Sequence, residues 1–182
     1  MNLGFKTKWE NGEPTYFVEK IWSGLNNEKQ QDIYFNEYCE KFKHSQKDNG
    51  WSITFNDTNR FPKIHTIRED KSNRWKVGNK IHFVINNRQP NRFQFAPVIE
   101  CTGIQYIRIR YFNDYPIVYI GNTMNGCMPF YWENKNDDED RYGVEQMKDL
   151  ALNDGFKSLD DFFKYFDKDF TGKIIHWTNK IY

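Results

Sequence analysis

From Lys63 to Lys80 the chain reads KIHTIREDKSNRWKVGNK, and this segment governs the interpretation of the rest. Its apolar alternation predicts a strand over Ile64–Arg68, and Gly78 marks a turn into a second strand over Lys80–Ile85. Between Asp57 and Lys80, seven Lys or Arg stand against three acids, a local excess of four in a chain whose net charge is +1. We therefore expect this region to hold something anionic or rich in hydrogen-bonding groups.

The bulk composition predicts one polar domain with an aromatic core. The chain has 182 residues, 38% of them hydrophobic, and its mean hydropathy is −0.91. The aromatic fraction of 18% compensates, because each buried aromatic ring removes a large area from water. A net charge near zero argues against a protein that coats nucleic acid by bulk electrostatics. The aromatic fraction also argues against global disorder, because these rings can form a compact core.

Acidic residues are concentrated late in the chain. The segment from Glu133 to Phe170 holds twelve acids against six basic residues, the reverse of the balance at Lys63–Lys80. Either the two segments pair in the fold or they form two poles of the surface. A solvated acidic loop at Asp137–Asp140 accounts for much of the asymmetry.

The cysteines and the start of the chain bear on its compartment. Cys39, Cys101 and Cys127 are odd in number and have no CxxC spacing, which predicts free thiols in a reducing compartment. The first residues contain no apolar signal core, and no apolar run approaches the roughly 20 residues of a membrane span. We expect a cytoplasmic protein with no membrane association.

Hydrophobic periodicity predicts strands flanked by a few helices. The predicted helices are Pro14–Leu25, Asn27–Lys43, Gly143–Asn153 and one that Ser158 opens; the predicted strands are Trp51–Phe55, Ile64–Arg68, Lys80–Ile85, Val98–Phe112, Tyr115–Ile120 and Lys173–Trp177. This order is typical of an α+β fold built on a small mixed β-barrel.

The order of the motifs resembles that of the ASCH domain family. A helix ends at Gly24, K-x-x-T-x-R follows at Lys63–Arg68, W-K-x-G at Trp75–Gly78, N-D-G-F stands before a helix, and G-K-I-I-H-W closes the series. The resemblance implies a PUA-like β-barrel that binds RNA or a nucleoside, with residues 1–182 as a single domain. In that family the first helix runs almost directly into K-x-x-T-x-R, so Leu25–Pro62 is interpreted as an insertion. Because this insertion directly precedes Lys63, it should lie near the mouth of the pocket. There it would act as a lid, narrow the range of substrates, form a surface for a partner, or add packing with no role in function.

Some small bacterial ASCH proteins look to be amidohydrolases that remove the acetyl group of N4-acetylcytidine. The resemblance implies that Lys63 and Thr66 are their catalytic lysine and threonine, and that Asp154 replaces their glutamate. Asp154 is one methylene shorter, and a displacement of about 1 Å can cost on the order of a hundredfold in rate. Either the backbone compensates for that methylene or this chain only binds.

Strand geometry tests whether these residues can converge. On a regular strand Thr66 and Arg68 share one face while Lys63 lies on the other. We therefore predict that Lys63, which follows Pro62, precedes the strand or is re-aimed by a bulge. A neutral Lys63 amine, favoured by burial and by the Arg68 charge, would then take a proton from Thr66 or from water. Asp154 would orient the lysine or protonate the leaving amine. The alternative is that Lys63 and Arg68 are surface charges and that Thr66 only fills a position in the strand.

The remaining candidates would bind substrate. Arg68 and Arg74 offer cations, and Trp75 and Phe61 could stack on a base, although core packing is the alternative for each aromatic. No cofactor is expected. The segment from Asp167 imitates an EF-hand loop, but Thr178 stands where a bidentate glutamate is required, and the four histidines lack ligand spacing, so no metal is expected. A ribonuclease and a protein-binding adaptor remain as competing functions.

Overall fold

A computed structural model describes residues 1–25, 33–34, 37–38, 40–41, 61–113, 115–134 and 141–182 of the chain. In these residues the strands are β1 (Asn2–Phe5), β2 (His65–Arg68), β3 (Lys80–Ile85), β4 (Phe93–Gln94), β5 (Ile99–Glu100), β6 (Gly103–Phe112), β7 (Tyr115–Gly121), β8 (Met128–Glu133), β9 (Arg141–Tyr142) and β10 (Phe170–His176). The helices are α1 (Phe17–Gly24), α2 (Val144–Asn153) and α3 (Leu159–Tyr165).

The chain divides into two compact units. The first unit comprises Met1–Pro62 and Lys80–Ile99, and the second comprises Lys63–Asn79 and Glu100–Tyr182. The strands form two sheets, so the α+β class is confirmed. A closed barrel is not seen among the described strands, and the PUA-like fold and the insertion stay predictions.

The first unit contains a mixed sheet in the order β1-β3-β4, with β5 also paired to β3. β1 and β3 run parallel, with Phe5 opposite Ile85. Aromatic packing fills its core, since the Phe5 ring lies 5.9 Å from that of Phe83 and 6.0 Å from that of Phe95. On α1, Ile21 and Trp22 are fully buried. This packing is the aromatic core that the composition predicts.

The second unit contains an antiparallel sheet in the order β2-β10-β6-β7-β8-β9. Burial alternates along β6 and β7, as the period of a strand with one covered face requires. The buried side chains of this sheet and of α2 and α3 include Ile107, Ile109, Val118, Ile174, Met147, Leu150 and Phe162. This core fixes the end of α2 and the strands β2 and β10, which carry the candidate site.

The predicted elements differ from the observed ones mainly at their ends. α1 begins three residues after Pro14, because Pro14 forms an isolated bridge with Lys8 and Tyr16 takes a left-handed backbone. The predicted strand Val98–Phe112 is divided between β5 and β6, because the N–H of Cys101 bonds to the Asn79 carbonyl instead of continuing one ladder. β1, β4, β8 and β9 were not predicted.

Two predicted elements lie wholly or partly outside the described residues. The strand Trp51–Phe55 is outside them, and within Asn27–Lys43 the described residues, such as Ile33 and Tyr38, are helical. Cys101 and Cys127 are free and buried, whereas Cys39 is outside the described residues. No helix in the described part of the chain is long and apolar enough to cross a membrane.

Candidate functional site

The centre of the candidate site is a buried ion pair between Lys63 and Asp154. The Lys63 Nζ lies 2.5 Å from Asp154 Oδ1 and also donates to the Asp154 main-chain carbonyl. The two side chains are 2% and 6% exposed. The pair joins the basic and acidic segments across 91 residues of sequence. Two of the three catalytic candidates are therefore in direct contact.

The sequence Asn153-Asp154-Gly155-Phe156 places the Asp154 carboxylate by ending α2. Gly155 has φ +93°, a left-handed conformation that glycine adopts without a steric penalty. The Gly155 N–H donates to the Leu152 carbonyl, and the Phe156 N–H donates to the Ala151 carbonyl. These two bonds make a Schellman motif, which caps the helix and turns the chain sharply. The N-D-G-F motif is thus a helix stop that presents Asp154.

Lys63 reaches that helix end because it precedes β2, which begins at His65. This position agrees with the prediction that Lys63 lies ahead of the strand. The backbone holds it there, since the Ile64 N–H donates to the Asn153 carbonyl at 3.0 Å and the Ile67 N–H donates to Asp154 Oδ1 at 3.3 Å. The ammonium also lies at the carboxyl end of α2, where the helix dipole favours a cation. The missing methylene of Asp154 therefore does not prevent contact with the lysine.

Burial perturbs the ionisation of Asp154 in this pair. Burial raises the pKa of Asp154 above its ordinary value, although the charges of Lys63 and Arg68 and the bonds from Lys63 and from the Ile67 N–H oppose that shift. A carboxyl group with a raised pKa takes up a proton more readily than an exposed aspartate. Asp154 is therefore the member of the pair whose affinity for a proton is raised by its surroundings.

Thr66 and Arg68 lie on β2 beside the pair. Thr66 is 1% exposed and faces Ile175 across the ladder with β10, and Arg68 is half-buried. All three catalytic candidates are therefore buried, and the Ile67 N–H, next to Thr66 in the chain, bonds to the Asp154 carboxylate. The contact that the structure establishes is that of Lys63 with Asp154.

The substrate-binding candidates are distributed differently. Trp75 is 7% exposed, Arg74 is exposed, and Phe61 is 56% exposed and belongs to the first unit. The buried Trp75 ring favours the packing alternative for that residue. Arg74 and Phe61 have the exposure that a ligand contact needs.

A pocket of about 440 Å³ opens where the chain leaves β2. Glu69 and Lys71 line one side, and Tyr106 and Met124 contribute an aromatic ring and a thioether. Gly172 lies in the wall, where an added Cβ would come within 2.5 Å of the Arg68 carbonyl. The Lys173 Nζ lies over the Tyr106 ring, 5.4 Å from its centroid, so a planar ligand would stack on the opposite face of that ring.

Lys173 holds the loop that borders this pocket. Its Nζ donates to Asp70 Oδ2 at 2.9 Å, to Asn73 Oδ1 at 2.5 Å and to the Trp75 carbonyl at 2.9 Å. Burial opposes ionisation of Asp70, but bonds from Lys173 and from the backbone N–H groups of Trp75 and Arg74 outweigh it and lower the pKa of Asp70. Lys173 is thus a structural cation, which the sequence interpretation did not identify. Its position as the first residue of the predicted strand Lys173–Trp177, directly before Ile174 and Ile175, was the available signal.

A second buried cluster joins His65, His176 and Tyr182. The two imidazole rings lie 5.4 Å apart on paired strands, and His176 Nε2 lies 3.1 Å from Gln105 Oε1. His176 is therefore the hydrogen-bonded structural residue that was predicted. Burial lowers the pKa of His176 to about 4, and burial, Lys63 and His176 together lower the pKa of His65 well below its ordinary value. Both rings are neutral at pH 7.

We expect acid to destabilise the protein through these two histidines. The unfolded chain binds their protons below about pH 6.5, while the folded chain excludes them, so stability falls as the pH falls from about 6.5 towards 4. Each histidine contributes a slope of up to about 1.4 kcal/mol per pH unit. Urea unfolding at pH 7, 6 and 5 should give this slope for the wild type and a flatter one for His65→Gln/His176→Gln.

The comparison of the two proteins isolates the histidines. The raised pKa of Asp154 acts in the opposite direction, because the folded state then keeps a proton that the unfolded state releases, but it is present in both proteins. An unchanged slope in the double variant would contradict the assignment.

The chain was compared with protein-family models, with curated proteins and with solved structures, and none of them matches it. Within the described ranges, no group of three or more His, Cys, Asp or Glu side chains is arranged to hold a metal ion.

Proposed function

We propose that this chain is an ASCH-type domain that binds RNA or a modified nucleoside through its second unit. The observation that carries the proposal is the buried contact of Lys63 with Asp154 at the end of α2. Burying two charges costs several kcal/mol each, so an ion pair at such a place is often retained for a reason other than stability. Perturbed ionisable groups of this kind are enriched at functional sites.

The pocket beside β2 supports a nucleoside as ligand. It has the volume for a base and a sugar, an aromatic face from Tyr106, and mixed charges from Glu69 and Lys71 at its rim. Stacking on an aromatic ring tolerates any base, whereas charged and amide groups at the edge select its hydrogen-bonding pattern. A pyrimidine with an added acyl group is a ligand of the right size and polarity.

Lys63, Thr66 and Asp154, which do not line that pocket, supply a candidate reaction, the hydrolysis of the amide of an N4-acylated cytidine. A proton moves from Lys63 to Asp154, which leaves a neutral amine and a carboxylic acid. The amine takes a proton from a water molecule that Thr66 holds, and the water oxygen bonds to the acyl carbon. As the bond from that carbon to N4 breaks, Asp154 protonates N4. Cytidine and a carboxylic acid are released, and the original ion pair is restored.

This reaction requires the substrate to reach side chains that are covered. Lys63 and Thr66 are 2% and 1% exposed, so a substrate must displace part of their cover before it meets them. Binding alone has no such requirement, and it is therefore the broader part of the proposal. A ribonuclease has less support, because His65 and His176 are fully buried and cannot act on a phosphate as they lie.

We expect Thr66→Val to abolish cytidine release from N4-acetylcytidine while leaving the fold intact. Valine matches the shape of threonine and removes the hydroxyl, and loss of a group that positions the nucleophile should lower turnover by about a hundredfold or more. Cytidine release, followed by chromatography, is compared among wild type, Thr66→Val and Lys63→Ala. Thr178→Val, at a half-buried position two residues after β10, is the matched control and should keep wild-type turnover.

Calorimetric titration with N4-acetylcytidine, cytidine and a short single-stranded RNA separates binding from reaction. If the wild type binds a ligand but releases no cytidine, the amidohydrolase activity is rejected and the proposal of a binding domain is retained. If the wild type binds none of the three, the proposed function is wrong and a protein-binding adaptor takes its place.

A further inference from the structure

A second cavity lies in the first unit, at the edge where two parallel strands end. β1 and β3 are in parallel register with Phe5 opposite Ile85, so the chain leaves both strands at the same edge of the sheet. The segments that follow line a cavity of about 540 Å³. Their polar members are Lys6, Thr7, Lys8, Asn86, Asn87, Arg88 and Gln89.

The lining is cationic and rich in amides. It contains Lys6, Lys8 and Arg88 together with three amide side chains, and no carboxylate is among its lining residues. Lys6 lies 3.8 Å from Glu10, but their side chains are 61% and 94% exposed, so that pair leaves most of the lysine charge available. Neither Lys8 nor Arg88 forms an ion pair within the described part of the chain.

The loop after β3 has a defined shape. Asn86 and Arg88 have φ +52° and +68°, and the Gln89 N–H donates to the Asn86 carbonyl at 3.0 Å. A left-handed conformation is uncommon for a residue such as arginine and persists where the surroundings specify it. Gly4 contributes, because a Cβ there would come within 3.1 Å of the Asn87 Cβ. The loop therefore packs closely on β1.

We infer that this cavity binds phosphate groups. Phosphate oxygens accept hydrogen bonds from ammonium, guanidinium and amide N–H groups, and three cations without a carboxylate favour a ligand with two or more negative charges. Two sources carry that chemistry: the backbone of a single-stranded nucleic acid, and a small phosphate-bearing molecule. The inference goes beyond the proposed function because it rests on the first unit and uses none of Lys63, Thr66 or Asp154.

The experiment measures binding of two probes by the full chain. One probe is a fluorescein-labelled single-stranded RNA of twelve nucleotides, followed by anisotropy, and the other is inorganic pyrophosphate, followed by calorimetry. Lys8→Gln/Arg88→Gln removes two of the cations. Lys164→Gln/Lys168→Gln removes the same charge from exposed residues of the second unit and serves as the control.

We expect Lys8→Gln/Arg88→Gln to lower the affinity for the affected probe at least tenfold. The control variant should change that affinity by less than twofold. If the ligand is RNA, the slope of log affinity against log salt should become shallower by about 1.4, since each lost phosphate contact on a single strand contributes about 0.7. Loss of RNA binding alone assigns the cavity to nucleic acid, and loss of pyrophosphate binding assigns it to a small phosphate ligand. Binding of neither probe by the wild type, or equal weakening by both double variants, would overturn the inference.

The outcome is distinguishable from that of the proposed function. Thr66→Val acts on the second unit and should leave pyrophosphate binding unchanged, whereas Lys8→Gln/Arg88→Gln should leave cytidine release from N4-acetylcytidine unchanged. Failure of one test therefore does not decide the other.

Discussion

Lys63→Met should lower the free energy of unfolding by about 3–5 kcal/mol, because it leaves the Asp154 carboxylate buried without its cation. Methionine retains most of the volume of the lysine stem, so the loss reports charge and not a cavity. The expected cost is largest at neutral pH. At lower pH the cost shrinks, because the pKa of Asp154 is already raised and a lost cation raises it further, so the variant takes up a proton on folding.

The double variant Lys63→Met/Asp154→Leu distinguishes a broken ion pair from a damaged core. Replacing both partners by apolar groups removes the unpaired charge, so it should be more stable than Lys63→Met alone. Urea denaturation of the wild type, the two single variants and the double variant gives the coupling free energy. Additive effects, with the double variant the least stable of the four, would contradict the argument.

Lys173→Met should cost a similar free energy, about 3–5 kcal/mol, for a different reason. It removes one ammonium that satisfies Asp70, Asn73 and the Trp75 carbonyl together. Because Asp70 also accepts from two backbone N–H groups, the loop keeps part of its hydrogen bonding. We therefore expect faster amide hydrogen exchange over residues 69–76 and weaker nucleoside binding, although Lys63 and Asp154 are unchanged.

Lys148→Met is the matched control for this change. Its ammonium lies 2.7 Å from Glu145 on the exposed face of α2, where an ion pair contributes at most about 1 kcal/mol. The two variants lose the same charge and gain the same side chain. A loss of stability in Lys173→Met no larger than that in Lys148→Met would show that the buried network contributes nothing beyond a surface charge.

Local patterns in the sequence predicted most elements of the second unit. Ser158 opens α3 by accepting from the Asp161 N–H, as the spacing indicates, and in the first unit β3 has the predicted bounds. Local patterns did not predict which strands pair when they lie far apart in the sequence. That Lys173 lies opposite Arg68 is a consequence of β10 entering between β2 and β6, and no local pattern specifies that neighbour. β1 was missed, although β2 has the same length and was predicted, because β1 pairs with the distant strand β3 and no local pattern specifies that partner.

The motifs identified the candidate residues of the site, and the position of Pro62 predicted how Lys63 is placed relative to β2. The prediction that Lys63 precedes its strand depended on the residue after a proline standing outside a regular ladder, and β2 indeed begins two residues later. The role of Trp75 could not be predicted in this way. An aromatic residue among cations gives the same sequence pattern whether its ring stacks on a ligand or packs in the core. Burial, which decides between those roles, depends on the whole fold.

Lys63 and Asp154 are 91 positions apart in the sequence, and this separation has a consequence for protein synthesis. At about 5–20 residues per second, Asp154 leaves the ribosome roughly 5–18 s after Lys63. During that interval Lys63 is an ordinary solvated cation, and neither helix α2 nor its terminal turn exists to receive it. A nascent chain that stops before Asp154 therefore lacks the site altogether, and ribosome-stalled chains of increasing length should acquire nucleoside binding only after this residue has emerged.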